Sequence, residues 1–242
     1  MIIDAKGLGF RELNEKVRKA VGRGAKTLTL KNVNGQRYIG VGLREKVRIE
    51  VQGVPGNDMA AFMDGPQITV RGNAQDAVGN TMNSGEVTVH GSAGDVIGYG
   101  MRGGRIYVRG DVGYRIGIHM KSYKDNVPVI VVGGTARDFL GEYMAGGIII
   151  VLGLDADKPL AGEYIGTGMH GGRIYLRGKV KDYQLGMEVK AEKAGKKDLD
   201  ELRPHILEFC RKFKLDEKRV LGEDFTVLAP HSHRPYSRVY SY

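Results

Sequence analysis

Two stretches of this 242-residue chain have the spacing G-x-G-x-x-G: GYGMRG at 98–103 and GTGMHG at 166–171. That spacing cradles a dinucleotide when a strand leads in and a helix leads out, so that the helix N-terminus meets the pyrophosphate. Here each stretch runs into strand-like sequence instead, RIYVRG or RIYLRG. Both are therefore read as turn glycines. Of the six histidines, His90, His119, His170, His205, His231 and His233, only the last two are close in sequence, and H-S-H alone is a weak metal set. The single cysteine, Cys210, lies on the apolar stripe of a predicted helix, where an inert thiol is expected. One thiolate builds neither an intramolecular disulfide nor a cysteine-ligated iron–sulfur or zinc centre. Asp76, Asp95, Asp111 and Asp138 recur near predicted turns. They suit a sugar-lining face or, more commonly, the satisfaction of turn N–H groups. There is no P-loop, no H-E-x-x-H, and no recognisable set of nucleophile, base and oxyanion donor. No catalytic, cofactor-binding or metal residue is assigned to the chain.

What positions these residues is a repeat. Segments such as QITVRGNAQDAVGNTMNSG and EVTVHGSAGDVIGYGMRGG each open on a short β-branched strand, close it with Gly and run on to Met. The strand-ending glycines are Gly53, Gly72, Gly91, Gly110, Gly133, Gly153 and Gly178, spaced by 19, 19, 19, 23, 20 and 25 residues. Two residues before them stand Val51, Val70, Val89, Val108, Val131, Val151 and Leu176. Four before stand Ile49, Ile68, Val87, Ile106, Val129, Ile149 and Ile174. Alternate strand residues share a face, so one face is buried and the other is usually wet. A second glycine set, Gly79, Gly98, Gly117, Gly141 and Gly186, and a third, Gly65, Gly85, Gly104, Gly147 and Gly172, mark corners. Met63, Met82, Met101, Met120, Met144 and Met169 form a column that fits core filling better than a copper or haem device. A repeat this short buries its apolar face only by stacking. The expected fold is an all-β core: a right-handed parallel β-helix of about seven coils, roughly 30 Å tall, with flanking N- and C-terminal helices. Steps of 19 without an inner hexapeptide argue against the left-handed hexapeptide type.

Three regions follow. Residues 1–46 supply a helix over 11–22, with Leu13, Val17, Ala20 and Val21 on one stripe, and two strands, TLTLKN and RYIGVG, leading into the stack. Residues 47–190 form the coils. Residues 191–242 supply a helix with Leu199, Leu202, Ile206, Phe209, Cys210 and Phe213 on one face. Its Asp198 and Glu201 resemble a capping box, and a strand and a docking tail, HRPYSRVYSY, come after it. The two helices are expected to cover the ends or sides of the stack.

The formal charge of +9 raises nucleic acid as a partner. Between Gln67 and Gly178, however, 11 basic residues face 10 acidic ones, and the excess lies in the flanks, for example at Lys16, Arg18, Lys19, Arg23 and Lys26. A solvated or partner-facing basic surface is the better reading, with no nucleic acid. No apolar run approaches membrane-spanning length and MIIDAKGLGF is not a signal peptide, so a cytoplasmic protein is expected.

The pattern G-x6-G-x2-M-x2-G in GNAQDAVGNTMNSG and GSAGDVIGYGMRGG, with PGNDMAAFMDGP, GDVGYRIGIHMK, GEYMAGG and GMHGG, resembles the third, GXGXG domain of the glutamate synthase large subunit. The likeness covers about residues 10–190, and RPYSRVY near the end resembles that family as well. The resemblance implies a β-helix without a catalytic role that packs against a glutaminase domain and a domain binding FMN and an iron–sulfur cluster. This chain contains neither of those domains, so it looks like the split archaeal type. Its partners would be a glutaminase subunit and an FMN/iron–sulfur synthase subunit, with self-association left open. MKSYKDNV departs from the M-x-G-G pattern, and this larger loop is a candidate contact. The same coils occur in the β-helix subunit of formylmethanofuran dehydrogenase, which stays an alternative, as does a stand-alone carbohydrate-binding β-helix.

Overall fold

The computed structural model describes residues 1–155 and 159–231. Its strands are β1 (Ile2–Asp4), β2 (Thr27–Asn34), β3 (Arg48–Val54), β4 (Asp64–Val70), β5 (Ser84–Val89), β6 (Arg105–Val108), β7 (Val129–Val132), β8 (Ala145–Val151), β9 (Gly171–Arg177), β10 (Val189–Lys193) and β11 (Phe225–Pro230). The helices are α1 (Phe10–Gly22), α2 (Lys196–Phe213) and α3 (Glu217–Leu221). The strands make one sheet in the order β1 to β9, then β11, then β10. Pairing is parallel from β1 through β9, and antiparallel where β11 joins β9 and β10. This is a parallel β-solenoid. Each turn gives one strand to the sheet and closes through irregular corners.

Register explains the core. Ile49, Ile68, Val87, Ile106, Ile130, Ile149 and Ile174 pair in succession, as do Val51, Val70, Val89, Val108, Val132, Val151 and Leu176. All are buried, and the Met column at 63, 82, 101, 120, 144 and 169 is fully enclosed beside them. The columns hold Ile130 and Val132, not Val129 and Val131. The glycine ladder likewise passes through Gly134, which donates to Gly110 O (3.0 Å) and accepts from Gly153 N (3.0 Å), and not through Gly133. A one-residue slip sends every side chain to the other face. Val129 and Val131 therefore point outward, into a second apolar cluster. Gly133 is small for another reason: a Cβ there would lie 2.3 Å from Arg109 O and 2.7 Å from the Phe209 ring.

The strands from β3 to β9 enclose six turns, so the seven strand-ending glycines mark seven rungs rather than seven coils. RYIGVG is not a strand: residues 39–42 turn, and Ile39 is buried within that corner. Gly186 lacks the positive φ of the corner set, and Gly166 (φ +70°) holds that place. Inserted residues put Gly166 13 positions after Gly153 instead of seven or eight, and Gly186 lies one turn later.

The outer face is not uniformly wet. Glu50, Thr69 and Thr88 give way to Tyr107, Val131, Ile150 and Tyr175, and α2 packs there through Leu202, Ile206, Phe209 and Cys210. Leu199 is 40% exposed and lies off that face. The cap of α2 also sits earlier than its sequence suggests: Gly195 N donates to Asp198 Oδ2 (2.9 Å). Leu13, Val17, Ala20 and Val21 of α1 join the inner core, and Asn14 and Arg18 donate to Arg37 O (2.8 Å) and Val41 O (2.5 Å), which fixes α1 across the first turn. Buried Gln184 closes the far turn, donating to Ala161 O (2.7 Å) and Gly162 O (3.1 Å). Among the described residues no helix is long and apolar enough to cross a membrane.

Candidate functional site

The corner glycines and the aspartates singled out by sequence lie where the turns close. In three successive corners, Val96, Gly98 and Gly100 (φ +52°, +69°, +56°), Arg115, Gly117 and His119 (+58°, +70°, +55°), and Phe139, Gly141 and Tyr143 (+63°, +70°, +51°), alternate residues adopt the left-handed conformation. Their N–H groups point alternately to the turns above and below. Val96 donates to Tyr114 O (2.8 Å), Gly98 to Val78 O (2.8 Å) and Gly100 to Ile118 O (2.8 Å). The alternate amides of a corner of this form are thus bonded to neighbouring turns.

The middle residue is glycine for lack of room as well as for φ. A Cβ on Gly79, Gly98, Gly117 or Gly141 would meet Cδ1 of Ile106, Ile130, Ile149 or Ile174 at 2.5 Å. Ala60 (φ +61°) is the exception, and in the sequence of rungs its counterpart is Val87, which has no Cδ1. The columns read from the sequence miss the residue before each corner glycine: Val78, Ile97, Ile116, Leu140 and Ile165 are fully buried. The signal was present as an aliphatic residue in every repeat, offset from the strand columns by the corner.

Both G-x-G-x-x-G stretches are such corners and lead into β6 and β9. Among the described residues no helix begins directly after either one. The four aspartates tie one turn to the next. Asp95 N donates to Asp76 Oδ1 (2.9 Å), Tyr114 N to Asp95 Oδ1 (2.9 Å), Thr135 N to Asp111 Oδ1 (2.7 Å) and Glu163 N to Asp138 Oδ1 (2.9 Å). An open groove of about 610 Å³ crosses this ladder, with Tyr114, Arg137 and Tyr183 beside the carboxylates. Among the described residues it holds no cysteine, serine or histidine.

The histidines are dispersed. His90 meets Arg71 Nη1 (3.1 Å) and packs edge-on to Phe213, and burial with nearby Arg71 pushes its pKa down. His205 is likewise lowered, mainly by burial and then by Arg105. His231 contacts Met187 O (2.9 Å), and His233 and the tail after it lie outside the described residues. Cys210 is buried under α2's face, which raises its thiol pKa and keeps it protonated. Among the described residues no group of three or more His, Cys, Asp or Glu is placed to hold a metal ion.

What the corners do present is an aromatic surface. His119 stacks on Tyr143 (ring centroids 5.4 Å) and meets Tyr99 edge-on (5.8 Å). Phe139 stacks on Tyr164 (5.0 Å), with the Arg115 guanidinium 4.4 Å from the Phe139 ring and ion-paired to Glu142. Tyr99, Tyr143 and Tyr164 stay 42%, 43% and 51% exposed, while Gly168 is bare because Tyr143 lies across it. Aromatic and Arg side chains held rigidly at a surface are the composition of protein-contact hot spots. The loop made by MKSYKDNV adds exposed Tyr123, which exchanges main-chain hydrogen bonds with Asn126 (3.0 Å).

The GXGXG motif family matches residues 12–232. A protein of Methanocaldococcus jannaschii, "Uncharacterized protein MJ1350", is 52% identical over all of this chain and 96% of its own length. In fold, the chain is similar to a chain of the formyltransferase/hydrolase complex FhcABCD from Methylorubrum extorquens, solved with methylofuran. That match has a TM-score of 0.62 at 18% identity and covers 93% of this chain and 88% of the other.

Proposed function

The chain belongs to the GXGXG motif family, and from that premise we propose that it is a non-catalytic scaffold subunit of a split glutamate synthase. It packs against a glutaminase subunit and an FMN/iron–sulfur synthase subunit, and holds them so that ammonia passes from one to the other without escaping to solvent. On this reading the partner subunit holds FMN and the cluster; the one buried cysteine of this chain cannot ligate the cluster. The observation that carries the reading is the use of the polar side chains. The aspartates and corner glycines that resemble a site are spent on holding turns together, while the aromatic corner stays exposed. The test is co-expression of the three proteins followed by size-exclusion chromatography at micromolar concentration. Co-elution supports the reading and separate elution contradicts it.

A second reading has one observation in its favour. The fold match to a chain of a formyltransferase/hydrolase complex suits a β-helix subunit of the formylmethanofuran dehydrogenase type. Co-elution with a molybdopterin-type subunit in place of the synthase subunit would select it. Carbohydrate binding has no comparable support, since the candidate aspartates accept turn-to-turn N–H groups.

A further inference from the structure

The chain's charge is concentrated at one end of the stack. Residues 1–48 carry 12 Lys and Arg against 4 Asp and Glu, which is +8 of the formal +9. That end is built by β1 and α1, and between them runs an open groove of about 630 Å³. Lys16, Lys19 and Arg23 of α1 and its C-cap line one wall, and Met1, Ile2 and Asp4 line the other. Lys16 pairs with Glu12 at 3.0 Å, whereas Lys19 and Arg23 have no ion pair among the described residues.

The second wall is a sheet edge with no paired strand among the described residues. β1 is the terminal strand of the order. Met1 O accepts from Thr29 N (2.9 Å) and Ala5 N donates to Lys31 O (2.8 Å), so the odd residues face β2. Main-chain groups alternate along a strand, which leaves those of Ile2 and Asp4 directed away from the sheet. The Ile2 side chain is 63% exposed.

We infer that this edge takes an extended acidic segment of a partner polypeptide, which adds to β1 as a strand and sets its carboxylates against Lys19 and Arg23. Only a polypeptide supplies N–H and C=O groups at strand spacing for Ile2 and Asp4. Exposed Ile2 asks for apolar residues between the acidic ones. Among the described residues the groove has no aromatic ring on which a base would stack, and a phosphate chain offers no N–H groups to the outward carbonyls of Ile2 and Asp4. The inference rests on the scaffold reading for its occupant to be a subunit, but it is tested apart from it.

The experiment is fluorescence anisotropy on the full chain with a labelled seven-residue peptide of alternating Glu and Val. Saturable binding is expected, weakened roughly tenfold or more by Lys19→Glu with Arg23→Glu, as like charges replace opposite ones. Ile2→Pro should weaken it comparably, because it removes an outward N–H and spares the pairing with β2. An alternating Lys and Val peptide should not bind. No saturation at millimolar peptide overturns the inference. So does unchanged binding in the charge-reversed variant, or binding of single-stranded oligo-dT more tightly than the peptide with the same loss on charge reversal. Co-elution with partner subunits separates the two claims. If wild type and charge-reversed chains co-elute alike, the edge inference fails and the scaffold stands, whereas absence of wild-type co-elution defeats the scaffold.

Discussion

Cδ1 of Ile130 occupies the space that a Cβ on Gly98 would need, at 2.5 Å. This contact joins the two kinds of repeat in the chain, the strand columns and the corner glycines, and makes each depend on the other.

Gly98→Ala is therefore expected to cost about 2–5 kcal/mol, combining a left-handed alanine with overpacking. Ile130→Val alone should cost about 0.5–1.5 kcal/mol. In the double variant the two should sum to less than their parts by roughly 1 kcal/mol, reproducing the natural pairing of Ala60 with Val87. Urea denaturation of the four proteins measures the cycle. Strict additivity would mean that the contact is not what keeps the corner glycine.

Met101 is fully buried. Met101→Asp places a carboxyl where no partner exists, and at least about 3 kcal/mol of stability should be lost. Thermal melting reads the loss. A melting temperature equal to that of the wild type would remove the Met column from the core.

Glu208 is held at about 2, against an ordinary 4.5, first by its hydrogen bond from Arg211 and then by Lys212. A carboxylate with a depressed folded pKa stabilises above its unfolded pKa, and the contribution is lost as pH falls from about 4.5 towards 2. Wild type should therefore be more stable than Glu208→Gln at neutral pH, with the gap closing through that window. A gap that stays constant to pH 2 would contradict the assignment.

The exposed aromatic corner separates stability from assembly. His119→Ala with Tyr143→Ala should move folding stability little, as surface changes do, while weakening co-elution with partner subunits. Equal co-elution would place the interface elsewhere on the stack.

The strand columns were legible because one residue type returns every 19 positions wherever a single face is buried. Legibility failed where that condition failed. In VPVIVVGG both faces are buried and two glycines are adjacent, so neither alternation nor punctuation fixes the register. The switch from Thr69 and Thr88 to Tyr107 and Ile150, where α2 packs, was not legible, because only a known register shows that these residues line up on one face. The aspartates could be assigned to turns, yet their acceptor role toward the next turn needs the glycines at 94, 113 and 162, where a Cβ would strike the carboxylate. His119, Tyr143 and Tyr99 sit at unequal spacings and become a surface only after stacking.

The scaffold claim is met most directly by comparing glutamine-dependent with ammonia-dependent glutamate synthesis in the reconstituted partner subunits, with and without this chain. Adding the chain should raise the glutamine-dependent rate by about an order of magnitude or more, through the local concentration of ammonia, and leave the ammonia-dependent rate unchanged. Equal glutamine-dependent rates with and without the chain would contradict the account.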